Sequence, residues 1–264
     1  MQKETIKFAS SLIFEGMTSI RAVIRAIDEN RSDRQIKRIY YDKNKVNKIA
    51  KEIGYFRAVS SKYGFELVET DSQELEKMTL GNTHGGIVAE VSERTIPSLS
   101  DAKNLGLIHS CGFYCMIQGI EDPYNFGYAL RSLYACGCTG LILGERNWMS
   151  AAGVVCRSSA GASELIDVFT STEEECINVF KELGYTLVCA DERTDNILGE
   201  CDLPYPILLI VGGEKRGISK TLLSSCDKLI KIDYARSFNA SLSAASATTM
   251  FAYEIMRQNK RMLS

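Results

Sequence analysis

The sequence contains no long hydrophobic run. No stretch of about 18 apolar residues occurs in its 264 residues, so no segment is long enough to cross a bilayer as a helix. The first residues, Met1-Gln2-Lys3-Glu4, lack the basic stretch followed by an apolar stretch that marks a secretory signal. We therefore expect a cytoplasmic protein that makes no contact with a membrane.

The sequence also lacks the spacings of a metal site or a disulfide scaffold. Its nine cysteines include no CxxC pair, and its only histidines are His84 and His109. An odd number of cysteines in a chain of this size without a secretory signal does not indicate a disulfide scaffold. We expect reduced, buried cysteines that pack as small hydrophobic side chains, and no bound metal.

Charge is unevenly distributed along the chain, although it sums to only −2. Between Arg31 and Lys62, ten Lys and Arg residues face three Asp and Glu residues, and ten minus three leaves a local excess of +7. Such an excess favours contact with phosphate groups and is typical of an RNA-binding surface. A solvated helix face without a ligand is the alternative interpretation of the same charges.

The apolar pattern divides the chain into two α/β parts. Residues 1–97 contain the short strands and helices of a small α/β unit. Residues 98–107 are polar and carry no sustained apolar period, which indicates a linker. Over residues 108–264, apolar strands alternate with helices, which predicts a mostly parallel sheet covered on both faces. In such a sheet the ligand binds beyond the carboxyl ends of the strands.

A first polar cluster, residues 122–131, follows a predicted strand. Pro123 suits the entrance of a helix because its fixed φ fits there and its missing N–H costs little. Asn125 and Arg131 are six residues apart and do not lie on one helical stripe. Both still reach one site if Asn125 lies in the loop before the helix. A proline-capped helix with a surface arginine is the structural alternative.

A second cluster, residues 211–219, is an apolar strand that runs into a glycine-rich turn. Gly212, Gly213 and Gly217 allow positive φ and a close approach of the backbone to a ligand. The turn lacks the lysine of a phosphate-binding P-loop and does not fit GxGxxG, which disfavours a kinase or a dehydrogenase. Glu214 would repel phosphate and instead suits a hydroxyl group or a cation.

A third cluster, residues 232–241, connects the last strand to the last helix. Ser237, Asn239 and Ser241 are small polar residues that hydrogen-bond to a ligand or to nearby backbone. The structural alternative is an ordinary helix cap formed by Asn239 or Ser241.

Together and in this order, the clusters resemble the three motifs of the SpoU/TrmH methyltransferases of the SPOUT superfamily. The matches are NxGxxxR at Asn125, Gly127 and Arg131, GxExxG at Gly212, Glu214 and Gly217, and an SLN-like segment at Ser237, Phe238 and Asn239. Residues 14–19 and the segment beginning at His84 resemble parts of the L30e-like substrate-binding domain attached to many such enzymes.

This resemblance implies an L30e-like domain at residues 1–97 and a SPOUT methyltransferase domain at residues 108–264. The second domain would contain a parallel sheet and a C-terminal trefoil knot, which is a rare exception among protein chains. The knot would bind S-adenosylmethionine, and the family forms homodimers with the site near the interface. The residues implied to bind the cofactor are Gly212, Gly213, Gly217, Ile232, Phe238 and Ser241.

The resemblance also implies roles in catalysis. Arg131 is the residue implied to activate a ribose 2′-OH. Because free arginine stays protonated, two electrostatic roles are also open, stabilising the developing alkoxide or holding a phosphate beside the ribose. Asn125 would position the ribose or Arg131, and Glu214 would orient Arg131 or a substrate group. Ser237 and Asn239 would support the cofactor and the target nucleotide.

The predicted function is transfer of a methyl group from S-adenosylmethionine to a ribose 2′-OH of RNA, the group that distinguishes RNA from DNA. Ribosomal RNA is favoured because, by analogy within the family, the extra N-terminal domain is more usual with ribosomal targets. The alternatives are a tRNA 2′-O-methyltransferase and a non-catalytic RNA-binding module in which the polar clusters serve as helix caps.

Overall fold

The computed structural model describes residues 12–80, 84–144, 151–213, 217–237 and 239–262. The chain forms two compact units. The first comprises residues 1–95 together with 148–165, and the second comprises residues 96–147 together with 166–264. In the described part of the chain, every helix is too short or too polar to cross a membrane.

The first unit is built on a four-stranded mixed sheet. Its strands are β1 (Ile13–Glu15), β2 (Ile36–Asp42), β3 (Glu66–Thr70) and β4 (Ile87–Val91), in the order β1-β4-β2-β3. Strands β2 and β3 are parallel, and β4 is antiparallel to both β1 and β2. The α-helices over residues 12–80 are Gly16–Asp28, Ala50–Tyr63 and Ser72–Met78. Phe14, Ile20, Ile39 and Phe56 fill the core between sheet and helices.

Two short helices from the second half of the sequence, Ala152–Ser158 and Ala162–Leu165, also belong to this unit. Arg34 Nε donates to Glu164 Oε2 at 2.8 Å, and both side chains are at most 3% exposed. A buried charge needs a partner, so this pair holds the segment in place. The expected boundaries, 1–97 and 108–264, put this segment in the second domain, and the contacts put it in the first unit.

The second unit contains a six-stranded sheet in which every pairing is parallel, as predicted. Its strands are β5 (Phe113–Gln118), β6 (Gly140–Leu143), β7 (Asp167–Thr170), β8 (Thr186–Ala190), β9 (Ile207–Gly212) and β10 (Lys228–Ile230). The order is β10-β8-β9-β5-β6-β7. The central strands β5 and β9 are almost entirely buried, which is why their sequences are continuous apolar runs.

The helices of the second unit pack on this sheet. They are Leu99–Asn104, Pro123–Ala135 (the first-cluster helix), Glu173–Glu182, Lys220–Ser225 and Ala244–Gln258 (the C-terminal helix). The first of them falls in the segment 98–107, which the sequence predicted to be a linker. Ser98 caps it, and Leu99 and Ala102 are fully buried, so the linker prediction is wrong there. Six residues are too few to show a helical period.

Most of the cysteines are buried, as expected, but Cys111 is exposed and Cys201 is half-buried. Cys115, Cys138, Cys156 and Cys176 are buried and free, and burial raises the pKa of each thiol, as expected for small hydrophobic side chains. Cys189 and Cys226 instead form a disulfide, so the expectation of reduced cysteines is wrong for this pair. The pair is 37 residues apart in sequence and becomes adjacent only because β8 pairs with β10.

Candidate cofactor site at the carboxyl ends of the strands

A cavity of about 1160 Å³ lies beyond the carboxyl ends of β8, β9 and β10. This is the edge at which a parallel sheet binds its ligand. The lining residues are 190–193, 211–213, 217–220, 223, 230–234, 239–242, 244, 247 and 251. The second and third sequence clusters therefore meet at one place, as their positions after strands predicted.

The two described ends of the glycine-rich turn, residues 211–213 and 217–219, form one wall of the cavity. Gly217 has φ +61°, and its N–H donates to the Gly213 carbonyl at 3.1 Å across the turn. A Cβ on Gly212 would lie 2.6 Å from the Gly217 carbonyl carbon. A Cβ on Gly213 would lie 2.8 Å from the Gln118 carbonyl oxygen and closer still to the Gly119 peptide. Backbone packing thus requires glycine at positions 212 and 213.

An ion pair at the end of β8 lines another part of the wall. Arg193 Nε and Nη2 donate to the two carboxylate oxygens of Asp191 at 2.9 and 2.7 Å. Hydrogen bonding from Arg193 lowers the pKa of Asp191, so this carboxylate stays ionised. Sequence analysis missed both residues, although their place directly after the apolar strand β8 was a usable signal.

The third cluster supplies a further part of the wall. Ile232, Asn239 and Ser241 line the cavity, whereas Ser237 is exposed and is not among the lining residues. The C-terminal helix is capped by Ser243, whose side chain accepts from the Ser246 N–H. The alternative interpretation of Asn239 or Ser241 as the helix cap is therefore wrong, and both residues line the cavity.

The first cluster lies elsewhere in the same unit. Asp122 caps its helix by accepting from the Tyr124 and Asn125 N–H groups, and Pro123 occupies the entrance as predicted. Arg131 is exposed on this helix, and neither Asn125 nor Arg131 lines the cavity. Glu214 and Phe238, also predicted as site residues, lie outside the described residues.

The C-terminal helix lines the cavity with one side and contacts the first-cluster helix with another. Ala244, Ala247 and Phe251 lie on the side of this helix that lines the cavity. Thr249, nearly opposite them around the helix, donates to Ser132 of the first-cluster helix at 2.7 Å. Of the residues predicted to bind the cofactor, Gly212, Gly213, Gly217, Ile232 and Ser241 line this one cavity, and Arg131 is not among the lining residues.

Comparison with known proteins identifies the family. The model of the SpoU rRNA Methylase family matches residues 112–253, more than half of the chain. The chain belongs to this family. A second family model, described as RNA 2′-O ribose methyltransferase substrate binding, matches residues 16–97. The chain is thus an RNA 2′-O-ribose methyltransferase that uses S-adenosylmethionine.

Individual relatives extend over both units. YacO of Bacillus subtilis, named as a TrmH family tRNA/rRNA methyltransferase, is 27% identical over 88% of this chain and 92% of its own. RlmB of Shewanella oneidensis, named as a 23S rRNA (guanosine-2′-O-)-methyltransferase, is 28% identical over 75% of this chain and 80% of its own. The crystal structure of AviRb from Streptomyces viridochromogenes with AdoMet has a TM-score of 0.76 at 22% identity and covers 96% of this chain and 97% of AviRb. This structure supports the α/β fold with its parallel sheet.

The cavity residues fit S-adenosylmethionine. Its walls combine apolar side chains such as Ile218, Ile230 and Phe251 with bare backbone at the glycine-rich turn. Apolar surface suits an adenine ring, and exposed peptide groups suit the hydrogen-bonding edges of an adenine and a ribose. The Asp191 carboxylate adds an acceptor for hydroxyl or ammonium groups.

Proposed function

We propose that this methyltransferase acts on ribosomal RNA, as a homodimer in the cytoplasm. The choice of ribosomal RNA rests on the similarity to RlmB, whose name specifies 23S rRNA. The match covers 80% of RlmB. The match of residues 16–97 to a substrate-binding model supports a dedicated RNA-docking unit. Transfer RNA is the competing substrate, because the name of YacO includes both.

The first unit carries the basic segment that the sequence placed between Arg31 and Lys62. Lys48, Lys51 and Arg57 are exposed, so they are available to RNA phosphates. Arg34 is not, because its guanidinium is buried against Glu164. We propose that the exposed members of this segment anchor the RNA backbone, a contact that carries no base specificity.

For the reaction, we propose that S-adenosylmethionine, when bound, supplies an electrophilic methyl group. Arg131 would stabilise negative charge that develops on the ribose 2′-oxygen or hold the adjacent phosphate. Asn125 would position the ribose, and Glu214 would orient Arg131 or a substrate hydroxyl. Ser237 and Asn239 would hold the cofactor and the target nucleotide in line with each other.

We propose that the chain between β10 and the C-terminal helix forms part of a trefoil knot. The connection 191–206 is hydrogen-bonded to chain on both sides of that segment. Leu198 N–H donates to the Lys231 carbonyl at 2.8 Å, and Gln258 Nε2 donates to the Cys201 carbonyl at 3.0 Å. Because these hydrogen bonds fix the connection 191–206 as a loop, they support a path in which the chain after β10 runs through that loop. The four-stranded mixed sheet of the first unit likewise supports an L30e-like fold.

A homodimer is supported by one surface of the second unit. Tyr128 on the first-cluster helix is 51% exposed, and Met250 and Tyr253 on the C-terminal helix are 43% and 56% exposed. The two helices are neighbours, joined by the Ser132–Thr249 hydrogen bond. Tyrosine and methionine are enriched in protein interfaces. We propose that a second copy covers this surface and brings its own Arg131 to the cofactor cavity.

Replacing Met250 and Tyr253 together by glutamate should therefore give a monomer, because four carboxylates would be desolvated in a two-fold interface. Light scattering should report twice the 29.3 kDa chain mass for the wild type and the single mass for the variant. Leu105→Glu is the control, since Leu105 is 71% exposed and lies outside this surface. A wild type at the single-chain mass would contradict the proposal.

The substrate proposal is tested by adding purified protein and methyl-labelled S-adenosylmethionine to RNA from cells that lack the gene. We expect label in one ribosomal RNA nucleotide, whose 2′-O-methyl group protects the following phosphodiester from alkaline cleavage. Label in transfer RNA alone would show that transfer RNA, and not ribosomal RNA, is the substrate. Cofactor and RNA binding without any label on either RNA would contradict the proposal altogether.

A further inference from the structure

A polar network outside the three motifs lies directly behind the glycine-rich turn. Glu173 is the first residue of the helix Glu173–Glu182, and its carboxylate accepts from two side chains. Gln118 Nε2 donates to Glu173 Oε1 at 2.6 Å, and Ser219 Oγ donates to Glu173 Oε2. The Ser219 N–H donates to Gln118 Oε1 at 3.4 Å, which closes a ring of three residues from three different elements.

The same residues support the two ends of the turn. The turn leaves β9 at Gly213, which is packed against the Gln118 carbonyl and Gly119. It returns at Ser219, which is bonded to Gln118 and Glu173 and caps the next helix through the Leu222 N–H. Gly213 and Ser219 both line the cavity, so the network fixes the wall on which the cofactor rests.

We infer that Glu173 is a positioning residue, which acts through Gln118 and Ser219 to hold the glycine-rich turn in its cofactor-binding arrangement. The inference rests on cofactor binding in this cavity. The alternative is that Glu173 only stabilises its own helix, through its negative charge in the first turn. The neighbouring Glu174, which is exposed on the same turn, would share that role. The two residues are therefore a matched pair.

Glu173→Ala should raise the dissociation constant for S-adenosylmethionine roughly tenfold to hundredfold, because it removes the charged acceptor of two hydrogen bonds. Glu174→Ala should leave that constant within about twofold of the wild type. Loss of a negative charge in the first turn of the helix should lower the melting temperature by a similar amount in both variants. Calorimetric titration and thermal melts of the full chain measure both quantities.

A reciprocal exchange makes the test specific. Gln118→Glu alone places two carboxylates together, and Glu173→Gln alone leaves one donor of the network without an acceptor. The double variant Q118E/E173Q again offers one carboxylate and one amide, so every donor keeps an acceptor. We expect each single variant to weaken cofactor binding and the double variant to recover it to within about threefold of the wild type.

Two outcomes would overturn the inference. One is an equal effect of Glu173→Ala and Glu174→Ala on cofactor affinity, and the other is a double variant no better than its single components. A wild type that binds no S-adenosylmethionine would instead count against the cofactor site itself, so the two failures are distinguishable.

Discussion

Replacing Arg131 with alanine is expected to abolish methyl transfer while S-adenosylmethionine binding stays near its wild-type value. Arg131 does not line the cofactor cavity of its own chain, so its removal leaves the walls of that cavity intact. Loss of a cation that stabilises charge in the transition state typically lowers the rate by about a hundredfold to a thousandfold. The methyl-transfer rate of Arg131→Lys should lie between those of the wild type and Arg131→Ala, because lysine keeps the positive charge but lacks the planar, two-pronged guanidinium.

Mixed dimers make this expectation sharper. If a second copy supplies Arg131 to the cavity, an Arg131→Ala chain and a chain with a damaged cavity should restore activity when combined. Only heterodimers would then carry one complete site. Single-turnover rates of each variant and of the mixture measure this directly. Full activity of Arg131→Ala would remove Arg131 from the reaction, and no recovery in the mixture would place the arginine and the cavity in the same chain.

Gly213→Ala is expected to have an effect of similar size through a different cause. The added Cβ would lie 2.8 Å from the Gln118 carbonyl oxygen and nearer to the Gly119 peptide, and both are backbone that cannot rotate away. Overpacking of this kind costs about 1–3 kcal/mol or more. The turn would have to move off β5, which displaces the cavity wall. We expect cofactor binding to fall below detection by calorimetry.

The control for this variant is Gly144→Ala, also in the second unit, where an added Cβ meets nothing within 4 Å. It should bind the cofactor as the wild type does and melt within a few degrees of it. Wild-type cofactor affinity in Gly213→Ala would contradict the close packing of Gly213 against Gly119.

The parallel sheet and the meeting of the second and third clusters were predictable from the sequence. Strands β5 and β9 are continuous apolar runs, and polar or glycine residues follow strands at the edge where ligands bind. Gly212 and Asn239 are 27 positions apart, yet both lie at that edge because Gly212 ends β9 and Asn239 comes after β10 of the same parallel sheet.

Other features depend on packing that no local pattern records. Glu173 and Gln118 carry no motif, and their pairing arises only because the helix Glu173–Glu182 starts beside the end of β5. Arg131 is not among the lining residues of the cavity, and sequence spacing does not encode the contact between its helix and the C-terminal helix. The helix Leu99–Asn104 forms because buried Leu99 and Ala102 stabilise a segment too short to be recognised by its period.

The pairing of Arg34 with Glu164 has a consequence for how this protein can be divided. The chain enters the first unit, leaves it after Thr95, returns for residues 148–165 and leaves again. A fragment that ends at residue 97 would lack Glu164, so the guanidinium of Arg34 would be buried without its carboxylate partner. A first unit with a fully paired interior therefore needs the segment that carries Glu164 as well as the N-terminal strands and helices.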